Sequence, residues 1–185
     1  MLRKSKHLLY SIGITSLALL TAAGIYVSFF QPKEVEVGVS LNKMYSSVKE
    51  MQQEADLIVE GKALSGQKSF FYDRVPFTLT SFQIDQVYEG NAPQKVISIL
   101  ETGGVQKNMN FTVEGNEVMD ADDSYVLLLK KYEGPVTNDP SYVIVGAYQG
   151  KFALDGNRVS AAEQVDAALQ QIQTKDQLLK QLDRS

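Results

Sequence analysis

Few residues of this chain have side chains suited to catalysis. The only histidine, His7, sits among basic residues near the N-terminus, and cysteine is absent. With no imidazole or thiol beyond that flank, catalysis would rest on carboxylates, Ser, Tyr or Lys. The densest carboxylate group is Glu117, Asp120, Asp122 and Asp123. Hard cations such as calcium bind where several carboxylate and carbonyl oxygens converge from one loop. Here no glycine follows the acids and no distal glutamate closes the loop, so the group departs from EF-hand spacing. The stronger reading is a solvated turn feeding the next apolar run, and no metal is expected. Gly103-Gly104 and Gly146 to Gly150 neither open a helix nor precede Lys-Ser/Thr, so they are not phosphate loops, and no cofactor is expected.

The other residues of note are aromatic. Phe70-Phe71-Tyr72, ahead of Asp73, Arg74 and Pro76, is more apolar than a connecting loop should be. Left exposed, these rings would anchor a partner or touch a membrane leaflet. Folded back, two of the three would pack on a sheet, which is the commoner outcome. Phe70, Phe71 and Tyr72 are therefore the partner-binding candidates. Tyr125, Tyr132, Tyr142 and Tyr148 would line a carbohydrate or peptide surface if they shared a face, but half-buried tyrosines are ordinary in sheets.

The elements that position these residues follow from periodicity. Lys33 to Val39 alternates charge with valine, as an extended stalk or a short edge strand does. Leu41, Met44, Tyr45, Val48, Met51 and Ala55 recur at helical steps behind Ser40, predicting a helix over about 41–55. Leu57, Val59, Gly61 and Ala63 then share one face of a strand. A long strand runs from about Phe77 to Tyr88, where Phe77 and Leu79 have opposite parity to Phe82 and Ile84. A bulge near Thr80 and Ser81 would bring both pairs inward. Lys95 to Glu101 is apolar enough to be buried on both sides, and Gly103-Gly104 breaks it. Strands follow around Met109 to Glu114, Ser124 to Tyr132 and Tyr142 to Tyr148, then a hairpin turning at Asp155-Gly156-Asn157. Ser160-Ala-Ala-Glu163 reads as a capping box opening a helix over about 160–183, with Val165, Ala168, Leu169 and Ile172 on its apolar face and a restart near Thr174. Helix, about six strands, helix is the order of a mainly β fold, either a small closed barrel or a curved antiparallel sheet with flanking helices.

Four fragments, Ala55 to Ala63 (ADLIVEGKA), Phe77 to Gly90 (FTLTSFQIDQVYEG), Lys95 to Glu101 (KVISILE) and Asp122 to Leu129 (DDSYVLLL), resemble the netrin-like domain, the OB-type barrel of the tissue inhibitors of metalloproteinases. Glu89-Gly90 stands where that family usually has Lys-Gly. The resemblance covers residues 55–132 and implies an OB-like barrel. It does not imply protease inhibition, because the animal inhibitors present an N-terminal cysteine to the protease metal and this chain has none.

Leu8 to Phe30 carries no charge over 23 residues, about 34 Å as a helix, enough to span a hydrocarbon core of about 30 Å. Arg3, Lys4 and Lys6 precede it without an acid, which orients the C-terminal part outward. The expected organisation is a cytoplasmic flank (1–7), a transmembrane signal-anchor (8–30), a stalk (31–39) and an extracytoplasmic β-rich domain (40–185). Thr21-Ala22-Ala23 offers a signal-peptidase site, and cleavage near Ala23 would release the domain. Against it, Gly24 to Phe30 prolongs the apolar run and Pro32 ends the helix. Gly13 and Gly24 do not form a GxxxG spacing, so no partner helix is indicated.

All 22 acidic residues and only 15 of the 18 basic ones lie beyond the span, leaving that part at −7. Nucleic acid is thereby an unsuitable partner, since binding needs a basic face. An exported domain without disulfides must stand on its core alone, which fits the surface of a Gram-positive bacterium; the chain resembles the singly anchored proteins found there. The expectation is a non-enzymatic interaction module, held at the membrane through Leu8 to Phe30, that binds a cell-envelope component or membrane protein. The alternatives are a carboxylate-dependent cell-envelope hydrolase and a sensor or assembly subunit of a membrane complex.

Overall fold

Apolar residues at every second position, punctuated by glycine and acidic turns, fold here into a closed β-barrel. The structure, a computed structural model, describes residues 32–38, 41 and 43–182, and from Glu34 onward the chain forms one compact unit. The anchor expected over Leu8 to Phe30 lies outside the described residues. Among those described, no helix is long and apolar enough to cross a membrane.

The elements run β1 (Lys33–Glu36), α1 (Val48–Gln52), β2 (Leu57–Ala63), β3 (Lys68–Tyr72), β4 (Val75–Gly90), β5 (Val96–Thr102), β6 (Gly104–Gln106), β7 (Met109–Thr112), β8 (Ser124–Lys131), β9 (Tyr142–Ile144), β10 (Lys151–Asp155), β11 (Arg158–Ser160), α2 (Ala167–Gln170) and α3 (Lys175–Leu182). Five strands close the barrel: β2 pairs with β4 and β8, β4 with β5, and β9 lies between β5 and β8. The β5–β9 contact is parallel and consists of one pair, Ile99 with Tyr142, whereas the other four ladders are antiparallel. β3 extends the wall as a hairpin with β4, and β10 with β11 continues the sheet beyond β8. A separate sheet has the order β1-β7-β6, which makes β1 an edge strand.

Strand alternation sorts the apolar residues into two cores. Leu57, Val59, Phe82, Ile99, Leu127 and Leu129 fill the barrel. Their neighbours Ile58, Val126 and Leu128 point outward and pack with Met51, Phe152, Leu169 and Leu178. The run Val126 to Leu129 is apolar at every position because β8 is the wall between the two. Gly61 stands on the lumen side of β2, where a Cβ would lie 2.0 Å from the Gln83 carbonyl oxygen and 2.7 Å from the Phe82 ring.

Several local expectations are corrected. The first helix occupies only Val48–Gln52 and is capped by Ser47, whose hydroxyl accepts from the Glu50 amide; Ser40, the expected cap, lies outside the described residues. The preceding residues 43–47 are not helical, and there the buried Gln149 side chain accepts from the Tyr45 amide (2.9 Å) and donates to the Lys43 carbonyl (3.0 Å). Ser160 ends β11 instead of opening a helix, since Arg158–Ser160 pairs across the Gly156 turn; α2 is capped by Asp166 and α3 follows Thr174. Residues 68–72 form a strand rather than a loop. β4 carries no bulge at Thr80 and Ser81, where its register with β5 is continuous; the irregularities lie near Asp85 and Tyr88, against β2. Thr78 and Thr80, not Phe77 and Leu79, are the lumen residues. The Thr78 hydroxyl donates to the Gly103 carbonyl (2.8 Å), which lets a polar residue occupy that position.

Candidate functional site

The β3–β4 hairpin turns at Asp73 and Arg74, both left-handed (φ 47° and 69°), as a type I′ turn requires. Its register sets Phe70 opposite Phe77, Lys68 opposite Leu79 and Tyr72 opposite Val75. Directly opposed residues share a side. Leu79 in turn faces Leu100, and Gln83 faces Val96. Because Thr78, Thr80 and Phe82 line the lumen, this second set is the outer face of β3, β4 and β5. It carries Phe70, Tyr72, Phe77, Leu79 and Val96. Phe70 stacks on Phe77 with ring centroids 6.3 Å apart, and Val96 is 40% exposed.

The three aromatic candidates are thus divided. Phe70 and Tyr72 belong to the outer face, whereas Phe71 points the other way and meets Phe111 edge-on at 5.6 Å. Phe71 nevertheless remains 42% exposed.

The acidic candidates have separate tasks. Asp122 pairs with Lys62 at 3.7 Å, both side chains being largely exposed. The Asp120 amide donates to the Tyr125 hydroxyl (2.9 Å), and the Glu117 carboxylate accepts from the Asn110 amide group. Backbone bonds from the Asp122 amide to the Ala63 carbonyl (2.8 Å) and from the Ala63 amide to the Asp123 carbonyl (3.0 Å) join this turn to the end of β2. Among the described residues no three Asp, Glu or His side chains are grouped as a metal ion would need.

A different acid is buried. Glu101, on the lumen parity of β5, accepts from the Met119 amide with both oxygens (3.1 and 3.2 Å) and from Lys151 Nζ (3.0 Å). Lys151 Nζ also donates to the Glu117 carbonyl (2.6 Å). The pair lies in a cavity of about 240 Å³ with Thr102, Asn116 and Tyr148 on its walls. This cavity is the barrel's seam, because β5 and β9 separate after Ile99 and the chain turns away at Gly146 and Ala147, both left-handed. The pair clamps the seam by tying β5 to β10 and to the 117–119 segment. Sequence reading passed over it, although one signal was present: Glu101 continues the inward parity of Ile97 and Ile99, an acid where an apolar residue is due.

On the outer wall, Lys175 Nζ donates to both Glu60 oxygens (2.9 and 3.0 Å), and the Tyr88 hydroxyl donates to the same carboxylate. Burial alone would raise the Glu60 carboxyl, but these bonds and the Lys175 charge outweigh it and hold the group below the ordinary carboxylate value. Tyr88 is raised by burial and then by Glu60; Tyr148 is raised by burial and then by its bond to Glu114. A depression of about 990 Å³ between β11 and residues 161–174 is widely open, and its charged lining residues are Arg158 and Glu163. The rest of its polar lining comes from Asn157, Ser160, Gln170, Gln173 and Thr174.

Comparison with known proteins finds no family model, no curated protein and no solved structure that matches the chain.

Proposed function

We propose that the chain is a membrane-anchored, extracytoplasmic binding module built on an OB-type barrel, with the outer face of β3, β4 and β5 as its ligand surface and no catalytic role. The observation that carries this reading is the half-buried aromatic and aliphatic surface of Phe70, Tyr72, Phe77, Leu79 and Val96 on the second and third barrel strands and their hairpin. OB-type barrels are five-stranded Greek-key barrels that bind ligands on that face and through the adjoining loop between the first two strands. The connectivity agrees: β2, β4 and β5 are successive neighbours, β8 returns to β2, and β9 enters between β5 and β8. The four fragments that resemble the netrin-like domain fall on β2, β4, β5 and β8, four of the five barrel strands. The anchor is supported by Leu8 to Phe30 and its basic flank.

The full-length chain, recovered from native membranes with its bound components, tests the ligand face. Val96→Asp combined with Tyr72→Ser is expected to abolish retention of a component held by the unsubstituted chain while leaving the thermal melt intact. Asp139→Ala, on the loop after β8, is expected to change nothing. Unchanged retention by the double variant rejects this face. N-terminal sequencing of the membrane-bound form tests the anchor, and a mature start near Gly24 rejects it.

A further inference from the structure

We infer that the side of the domain formed by β1, β6, β7 and the tip of the β3–β4 hairpin rests on the bilayer in which the chain is anchored, with Phe71 and Val105 entering the interfacial region. The inference rests on the anchored reading above and uses a surface other than the ligand face.

The tether is short. Only Gln31 and Pro32 separate the end of the apolar run at Phe30 from β1. Phe30 to Lys33 is three Cα–Cα steps, about 11 Å at most, so on the anchored reading β1 begins close to the membrane. β1 pairs with β7, and the Val37 amide donates to the Thr112 carbonyl (2.7 Å), which joins the C-terminal ends of the two strands. They therefore run in the same direction, and the start of β1 lies beside the start of β7, next to the turn at Lys107 and Asn108. Strands are spaced about 4.8 Å apart, which places β6 about 10 Å from β1.

This side also exposes apolar side chains. Four large apolar side chains are exposed among the described residues: Met44, Phe71, Val96 and Val105. Two of them are here. Val105 is on β6 and is 53% exposed; Phe71 reaches β7 through Phe111. The β3–β4 hairpin is pressed against β6, since a Cβ on Gly104 would lie 2.0 Å from Thr78 Oγ1 and 3.1 Å from Ser69 Oγ. An apolar pair beside a tether this short is covered most directly by the bilayer that the tether leaves.

Charge adds a weaker contribution. Arg74 and Lys107, on the same two hairpins, form no ion pair with a described residue and would meet anionic headgroups. Glu34, Glu36 and Asp73 share this side and limit the attraction, so apolar insertion is the main contact.

The chain has no tryptophan, so Phe71→Trp, Val105→Trp and Asp139→Trp each introduce a single reporter. Each full-length variant is reconstituted into vesicles of zwitterionic lipid, with and without anionic lipid, containing lipids brominated near the headgroup. Loss of most of the emission at positions 71 and 105, with position 139 close to its level in unbrominated vesicles, is the expected result. Equal quenching at all three positions, in chains that stay with the vesicles through an alkaline wash and keep the unsubstituted melting temperature, overturns the inference and leaves the anchor standing. Chains washed off the vesicles overturn both.

Discussion

The two faces of β8 look alike in sequence and differ in how they are completed. On the lumen side, Tyr125, Leu127 and Leu129 meet residues of β2, β4, β5 and β9, and pairing of the strands between Leu57 and Ile144 is enough to enclose them. On the outer side, Val126 and Leu128 are covered by residues from both ends of the described chain, Tyr45 to Met51 and Val165 to Leu178. The polar groups follow this division. Three tyrosine–glutamate hydrogen bonds, Tyr45 to Glu54, Tyr88 to Glu60 and Tyr148 to Glu114, involve Tyr45 and Tyr148 of the outer core and Tyr88 packed against it. The lumen is enclosed mainly by backbone ladders, whereas the two arms over the outer core are tied down by side chains, the first by Gln149 at Lys43 and Tyr45 and the second by Lys175 at Glu60. The lumen should unfold as a whole and the outer core by release of parts.

The largest effect expected is in the lumen. Phe82→Ala, at a fully buried ring, should cost about 3–5 kcal/mol and lower the denaturation midpoint for every spectroscopic probe together. Leu178→Ala, equally buried in the outer core, should speed amide exchange in α1 and α3 while β2, β4 and β8 stay protected. Uniform acceleration across all five would mean that the two regions form one cooperative unit.

Next in size is the seam. Lys151→Met leaves Glu101 buried beside the Met119 amide without its cation and should cost on the order of 3 kcal/mol, measured by urea unfolding. Adding Glu101→Gln should recover part of the loss; no recovery would show that Lys151 acts through its bond to the Glu117 carbonyl instead.

The smallest effects concern the fastenings. Tyr88→Phe should cost about 1 kcal/mol. Burial first, and then the Glu54 carboxylate, push Tyr45 from 10.0 up to about 12, and Tyr88, Tyr125 and Tyr148 are raised as well, each mainly by burial. Below pH 10 these phenols are neutral in both folded and unfolded chains, so their stabilisation is complete. Above it only the unfolded chain ionises them, and stability falls as pH rises toward 12. Ultraviolet difference absorbance should show these four of the nine tyrosines titrating only with unfolding. On the acid side, hydrogen bonds from Lys43 and Tyr45 lower Glu54, and Glu60 is lowered despite its burial. Their stabilisation is complete above the ordinary value of 4.5 and is lost as pH falls through the lowered values. A flat stability profile from pH 7 to 3 would show that the outer fastenings contribute little.

Much of the lumen was legible because alternation at Leu57, Val59 and Ala63 belongs to the strand itself. Its closure by β9 was not, since one parallel pair leaves no pattern in sequence. The β3–β4 and β6–β7 hairpins were missed for a definite reason: their left-handed turns are Asp73-Arg74 and Lys107-Asn108, without the glycine that made Asp155-Gly156-Asn157 readable. Helix lengths failed where apolar spacing continued through chain that is not helical, as at residues 43–47, where Gln149 bonds Lys43 and Tyr45. The aromatic candidates were found as a group, but which ring faced which way depended on register, and Phe71 fell on the side opposite Phe70 and Tyr72.

β1 belongs to neither core arrangement. Among the described residues it is bonded to β7 alone, with a half-buried Val35 as its innermost residue, and it is not part of the barrel sheet. A pull on the domain from its N-terminal side therefore loads these four residues first. Under such a load β1 would come away from β7 while the ladders of the barrel, in a different sheet, stay paired.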